Sequence, residues 1–335
     1  MIGFDIGGTK CAVSIGREMD GELKILAKKS IPTDHTISPY EMIDRMCGLA
    51  DEMISEMLSE TPEQTANITD DIADSIGISC GGPLDSRTGV ILSPPNLPGW
   101  DNVHIVEYLE NRYHTRAYLQ NDANACAVAE WLYGAGKGCQ NMIFLTFGTG
   151  MGAGLILNGQ LYAGTNDNAG EIGHVRMQDF GPVGFGKAGS FEGFCSGSGL
   201  AQTGQMMARE KLQMGKKVSY CANLAELNQI TAKSIAEYAN QGHEDALAIY
   251  QVCGKMLGYG LSILIDVLNP ERIVLGSIFQ RSGHLLRSSM QEIIEKEALT
   301  AAHSVCQIVP ALLEENIGDY AALAVAAMGG KKNAL

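Results

Sequence analysis

Two stretches of the same make, strand then glycine turn then strand, lie far apart in this chain and restrict its fold more than anything else in it. The first is Phe4-Asp5-Ile6-Gly7-Gly8-Thr9-Lys10, which runs into the alternating segment Cys11–Ile15. The second is LTFGTGMGAG, Leu145–Gly154, which runs on to Leu157 and an Asn158-Gly159 turn. An α/β unit used twice, with a ligand between the halves, would produce this echo, although the likeness is too slight for a sequence repeat. Glycine lacks a Cβ, so the N–H groups of such turns stay open to a phosphate. Asp5, just ahead of the first turn, could hold a magnesium ion through water. A plain hairpin also uses a glycine turn, yet Asp-x-Gly-Gly-Thr-Lys is a more particular string than a hairpin requires.

Two nearby patterns mislead. Gly148, Gly150 and Ala153 fit the dinucleotide pattern GxGxxG/A, which needs a helix to follow. Here Gly154-Leu-Ile-Leu-Asn-Gly-Gln follows, a strand into a hairpin. Gly181-PVGF-Gly186-Lys187 lacks both the hydroxyl residue and the preceding strand of a P-loop.

The third marker is Tyr118–Trp131, YLQNDANACAVAEW. The apolar run Ala117–Leu119 ends in Gln-Asn-Asp, and Ala123–Trp131 has helical spacing and much alanine. Asp122 therefore stands where a strand hands over to a helix, the place where open α/β sheets bind ligands. A carboxylate there can take a proton from a bound hydroxyl. Asn121 or Asp122 could equally be the helix cap and nothing more.

Around these markers the chain alternates strands and helices. Met1–Ile31 reads as three antiparallel strands, Pro39–Ser59 as an amphipathic helix, Glu60–Asp71 as a polar linker, and Ile72–Cys80 as a buried strand ending at Gly81-Gly82-Pro83. Thr88–Leu92 is a short strand, Ser93–Trp100 a proline-rich loop, and Asn102–Arg112 a helix. Asn141–Phe147 and Gly152–Leu157 are strands, and Gly164–Gly199 is a long irregular stretch of the kind that usually carries function. Helices follow to Asp245–Leu268, then a strand at Ile273–Leu275 and helices at Gly283–Ala298 and Gly318–Met328.

Length and charge bound the rest. A chain of 335 residues suits two domains. Lys+Arg 24 against Asp+Glu 38 leaves −14, which should repel nucleic acid and anionic membranes. The nine cysteines are scattered without a CxxC pair, so buried thiols in a reducing compartment are expected. Gly138–Asn166 is uncharged, but glycines and turns break it, so it is not read as a membrane span. A start directly on a strand leaves no room for a leader peptide, and a cytoplasmic location is expected.

DIGGTK, the NLPGW loop, NDANA, LTFGTGMGAGLILNG, AGEIGH and LNPERIVLG occur in that order. Together they make nearly the whole chain resemble the actin-like ATPase fold and, within it, the ROK family (repressors, open reading frames and sugar kinases). The resemblance implies an α/β, duplicated actin-like (ribonuclease H-like) two-lobe ATPase fold with an interdomain cleft. Residues 1–121 plus about 310–335 would form the smaller lobe and 122–309 the larger. The implied activity, shared with glucokinase-like and N-acetylmannosamine kinase-like members, is ATP-dependent phosphorylation of a hexose or N-acetylhexosamine, at the 6-hydroxyl. Asp122 would be the general base. Gly82, Asn96, Asn121, Glu171, His174 and Glu192 would bind the sugar. Asp5, Gly7, Gly8, Thr9 and Lys10 would bind the nucleotide, together with Thr146, Gly148, Thr149, Gly150 and Gly276, with Ser277 beside the adenosine. ATP and Mg2+ are the expected cofactors and a homodimer the expected assembly. Phosphoryl transfer needs positioning, charge neutralisation and one base, which this set could supply.

One departure from the family is plain. Most members follow Gly-His with three cysteines that complete a zinc site, whereas Val183, Phe185 and Ser190 stand in those places here. No structural zinc is expected. Val183 and Phe185 are expected to pack where the metal would have tied the loop, leaving His174 to face the sugar or to sit satisfied near the core. The family also contains sugar-responsive repressors with a helix-turn-helix domain ahead of the DIGGTK-like strand. The intact glycine loops and acidic charge point away from them. A sensor of the same family that binds sugar without phosphorylating it is the alternative function. Glu171 and Glu192 as a glycosidase pair would leave the glycine loops unexplained.

Overall fold

The apolar run at the N-terminus becomes the centre of a sheet. In the computed structural model, which describes residues 1–60, 74–313 and 316–332, β1 (Ile2–Ile6) pairs antiparallel with β2 (Lys10–Met19), and β2 with β3 (Glu22–Pro32). After α1 (Pro39–Glu60), β4 (Ile76–Cys80) lies parallel to β1 on its other side. The small hairpin β5 (Leu84–Asp85) and β6 (Val90–Ile91), then α2 (Ile105–Tyr113), lead to β7 (Ala117–Asn121), parallel to β4. Central β4 is buried at every residue, while edge strand β3 alternates toward solvent, as a two-sided and a one-sided strand should.

The chain then repeats the design. After α3 (Asp122–Tyr133), β8 (Met142–Leu145), β9 (Ala153–Leu157) and β10 (Gln160–Leu161) form an antiparallel meander. The hairpin β11 (Val183–Gly184) and β12 (Lys187–Ala188) comes next, then α4 (Phe191–Phe194), α5 (Gly197–Gln213), α6 (Ala232–Asn240) and α7 (Glu244–Leu268). The strand β13 (Arg272–Leu275) joins β8 in parallel. After α8 (Ile278–Glu297) and α9 (Thr300–His303), β14 (Gln307–Pro310) joins β13, and α10 (Ile317–Lys332) closes the fold. The two sheets run β3-β2-β1-β4-β7 and β10-β9-β8-β13-β14, with matching orientations pair by pair. The duplicated α/β fold implied by the two glycine stretches is therefore present. Both glycine turns join the first and second strands of their sheets.

Each sheet has its own core. Phe4, Ile78 and Leu119 pack with Met42, Ile43 and Met46 of α1. Leu145 and Leu275 pack with Leu257 and Leu261 of α7 and Leu286 of α8. Among the described residues α7 is long and apolar enough to cross a membrane, but it is the central helix of this second core, with 61% of its most apolar stretch buried. The alanine-rich α10 lies across β1, β2, β4 and β7 and along α3. Close approach requires small residues: a Cβ at Gly77 of β4 would lie 1.9 Å from the Ala322 carbonyl oxygen and 2.5 Å from the Ala326 nitrogen. Those are backbone atoms of α10 and cannot turn aside. Gly77→Ala should cost on the order of 2–3 kcal/mol, the upper range for overpacking. A urea midpoint within 0.2 M or so of wild type, at the usual slopes, would show that the helix yields.

Several boundaries moved for identifiable reasons. The helix expected at Asn102–Arg112 starts at Ile105, because Asn102 takes a left-handed φ of 53° that no helix continues. The one expected at Gly283–Ala298 starts earlier, at Ile278, where the Ser277 N–H donates to the Gln280 side chain and caps it. Strand β14 escaped notice because its short run Gln307–Pro310 is only half-buried and shows no alternation. The linker expected over Glu60–Asp71 lies, beyond Glu60, outside the described residues.

Candidate active site

The carboxyl ends of the parallel strands of both sheets open on one cleft, with a cavity volume of about 960 Å³. Gly81-Gly82 after β4, Asn96, and Asn121-Asp122 after β7 line it from the first sheet. Thr146 and Gly148–Ala153 line it from the second glycine loop, and Glu171, His174 and Glu192 from the long segment beyond. Every residue expected to bind sugar is therefore in one cavity. Of the expected nucleotide residues, Thr146, Gly148, Thr149 and Gly150 line it too, while Asp5, Gly7, Gly8, Thr9, Lys10 and Gly276 are not among its lining residues.

Asp122 is the first residue of α3. The Ala123 N–H donates both to the Asn121 side chain at 2.9 Å and to Asp122 Oδ1 at 2.8 Å. Asn121 is thus the cap, and Asp122 shares the same positive helix end while facing the cleft. Burial pushes the Asp122 carboxyl above its ordinary value, with the Ala123 N–H pulling the other way. A carboxylate of raised proton affinity, open to the cleft and held in place by a backbone donor, is suited to act as a general base.

The first glycine turn is tied down on both sides. The Thr33 hydroxyl donates to the Gly7 carbonyl at 2.6 Å, and the Gly7 N–H donates to the Lys10 carbonyl at 3.2 Å. A Cβ at Gly8 would lie 2.4 Å from the Asn96 carbonyl oxygen, so this glycine lets the turn press on the NLPGW loop. Asp5, behind the turn, has its carboxyl pushed up to about 7, chiefly by burial and then by the negative charges of Asp319 and Asp122. Asp319 itself is buried and paired with Lys28. Nothing in sequence spacing places Asp319 beside Asp5; the return of α10 to the first sheet does.

The second loop is held by its own Thr146 and by Glu192 of the cleft wall. The Gly152 N–H donates to the Thr146 hydroxyl at 3.0 Å, and the Met151 N–H to Glu192 Oε2 at 2.9 Å. Glu192 therefore joins the loop to the cleft wall. The Gly276 N–H donates to the Leu145 carbonyl, and Gly197 donates to the Gly148 carbonyl, which sets Gly276 and Ser277 behind the loop. Glu171 has its carboxyl raised by burial and by the charges of Asp122 and Glu192, with His174 opposing. These four groups share one field.

Where the sequence lacks zinc-site cysteines, the structure corrects one expectation. Val183 is 44% and Phe185 77% exposed, so they do not pack into the place of a metal. Ser190 does that work, as a buried cap: its hydroxyl accepts from the Gly193 N–H at 3.1 Å and donates to the Gly184 carbonyl. Backbone bonds from Met177, Gln178 and Gly189 complete the tie. His174 is exposed and lines the cleft, which sets aside its alternative place near the core.

A divalent cation fits the first glycine turn on chemical grounds. The half-buried Asp5 carboxyl is pushed up by burial and by the negative charges of Asp319 and Asp122, with Lys10 opposing, so a further positive charge beside it would be favourable. The sign of its linkage is clear: the folded value lies above the ordinary 3.9 or so, so wild type loses stability as pH rises from about 4 to 7. Asp5→Asn, with EDTA present, should match wild type near pH 4 and exceed it at pH 8 by roughly 2–4 kcal/mol. Denaturant midpoints at the two pH values check this, and an unchanged difference between them would remove the buried charge from the account.

The ROK family model matches residues 1–328. The glucokinase of Halalkalibacterium halodurans is 29% identical over 302 residues, covering 89% of this chain and 86% of that protein. A ROK family glucokinase from Streptomyces griseus, solved in complex with glucose and AMPPNP, superposes with a TM-score of 0.71 at 25% identity, covering 98% of this chain and 99% of that one. A ROK family transcriptional regulator superposes with a TM-score of 0.76 at 21% identity, covering 98% of this chain and 78% of that one, a likeness of fold alone.

Proposed function

The chain belongs to the ROK family, and from that premise we propose that it is a sugar kinase. It transfers the γ-phosphoryl group of ATP to a hexose or N-acetylhexosamine, at the 6-hydroxyl. The observation that carries the proposal is the position of Asp122. It stands at the strand–helix junction with its carboxylate open to the cleft, and it lines one cavity with the second glycine loop and the hydroxyl-binding set Asn96, Asn121, Glu171, His174 and Glu192. The glucokinase relatives, one of them solved with sugar and an ATP analogue, support the same reading.

In this mechanism the amide and carboxylate side chains orient the hydroxyls of the sugar, each giving or taking a defined hydrogen bond. Asp122 takes the proton of the attacking hydroxyl as it meets the phosphorus. The N–H groups of Thr149 and Gly150 in the second loop and of Gly8 and Thr9 in the first hold phosphate oxygens. Asp5 would hold magnesium through water, and the ion when bound would neutralise phosphate charge. Closing the lobes excludes water, which suppresses wasteful ATP hydrolysis.

The test is ADP release by the purified protein with Mg-ATP and glucose, mannose, fructose, allose, N-acetylglucosamine or N-acetylmannosamine. Release with one sugar well above the sugar-free rate establishes the kinase and names its substrate. Silence throughout, with a sugar still bound by calorimetry, would replace the kinase with the sensor of the same family.

A further inference from the structure

The separate β5–β6 hairpin that follows β4 and the segment after β10 meet at the cleft. There the Ser86 N–H donates to Asp167 Oδ2 at 2.8 Å and the Ser86 hydroxyl donates to Asp167 Oδ1 at 2.7 Å. Both carboxylate oxygens are used, and both donors come from one residue 81 positions away. We propose that this pair is a latch across the cleft, and that Asp167 is a positioning residue whose bond to Ser86 holds the cleft closed around the sugar.

Each end is stiff, as a latch requires. Asp85 accepts the Arg87 and Thr88 N–H groups, each at 3.0 Å, which fixes the hairpin turn and leaves the Ser86 donors for a partner outside it. Asp167 holds a left-handed φ of 59°, a conformation that costs a non-glycine residue energy and persists where its surroundings impose it. Its segment is anchored at Gly170, whose carbonyl accepts the Ala153 N–H at 2.8 Å. Gly170 is also next to Glu171, so the latch pulls directly on a sugar-facing carboxylate. Asp167, Asn168 and Ala169 line the cleft from the second lobe, Pro83 and Leu84 from the first.

The position is also right for closure. Another junction between the two halves, among the described residues, is at α3 and α10, where Glu130 of α3 accepts the Leu312 and Leu313 N–H groups. That junction is continuous chain and buried contact, and a hinge belongs there. The Ser86–Asp167 bond is half-exposed, made by side chain and turn. It can break and re-form with substrate entry at modest cost, because water replaces much of what a part-exposed hydrogen bond contributes.

The consequence for sugar affinity rests on the kinase reading; the consequence for the ligand-free protein does not. Ligand-free Asp167→Ala should show a larger radius of gyration by X-ray scattering and about tenfold faster hydrogen exchange at the Ser86 amide. Asn168→Ala, beside it, should show neither. With glucose as the probe, calorimetry should give about tenfold weaker binding for Asp167→Ala and about threefold for Ser86→Ala, which keeps the backbone donor. The KM for ATP should stay within about twofold. Unchanged scattering and exchange in Asp167→Ala would overturn the latch. Weakened glucose binding in Asp167→Ala but not in Ser86→Ala would also overturn it, by making Asp167 a direct sugar ligand. If glucose does not bind the wild type at all, the substrate assignment fails and the ligand-free measurements still decide the latch.

Discussion

Asp122→Asn should fold normally, bind its sugar within a few-fold of wild type, and lose about 10²–10⁴-fold in kcat, the range general-base catalysis contributes. The carboxamide is isosteric and can still accept the Ala123 N–H, and Asn121 remains as the helix cap, so α3 is not disturbed. What disappears is the proton acceptor. Single-turnover ADP formation with saturating sugar isolates the chemical step, and calorimetry gives the affinity. Near-normal turnover in Asp122→Asn would remove Asp122 from the base role, and loss of sugar binding in parallel would make it a ligand instead. In the wild type, kcat should rise with pH through an acid limb above the usual carboxylate range. Burial raises the Asp122 carboxyl, and only its ionised form can accept the proton.

Glu130→Ala should cost on the order of 3–5 kcal/mol of stability, the largest effect expected outside the cleft. Glu130 is fully buried on α3. Its Oε1 accepts the Leu312 and Leu313 N–H groups, both at 2.9 Å, and its Oε2 accepts the Ala135 N–H at 2.7 Å. Truncation leaves three part-buried backbone donors without their acceptor, at about 1–3 kcal/mol each before relaxation or water entry, and opens a cavity besides. Glu130→Gln keeps the volume and one acceptor but turns an NH₂ toward a donor, so about 1–3 kcal/mol is expected for it. Urea denaturation checks the order wild type, Gln, Ala; an alanine variant within 1 kcal/mol or so of wild type would mean that water replaces the carboxylate. Because the residues Glu130 holds lead into α10, and α10 brings Asp319 to Asp5, the glutamine variant should also raise the KM for Mg-ATP.

Both variants act on residues that differ in how far they could be read from sequence. Asp122 was legible because its signal is local: an apolar run, an Asn-Asp pair and an alanine helix within a few residues. Asn96, Glu171, His174 and Glu192 were legible only through the resemblance to the ROK family, since nothing in their own spacing calls for a common cavity. Glu130 read as one more helix residue. Val183 and Phe185 were misread, because apolar character says that a side chain favours burial without saying whether a partner surface exists. At the β11–β12 turn, Ser190 and backbone bonds had already tied the loop.

The sequence by itself determined the local conformations: buried strands from unbroken apolar runs, helices from spacing near 3.6, and turns from glycine, asparagine and proline. It also carried the doubling of the fold, since two strand–glycine–strand units can each nucleate the same sheet order. Only the tertiary structure decided which carboxylates meet which donors. Ser86 and Asp167 are 81 positions apart, and Glu130 and Leu312 are 182. Propensity and periodicity act over a turn or a strand, whereas the burial that shifts a carboxyl and the backbone donor that satisfies one exist only after the sheets and α10 have packed.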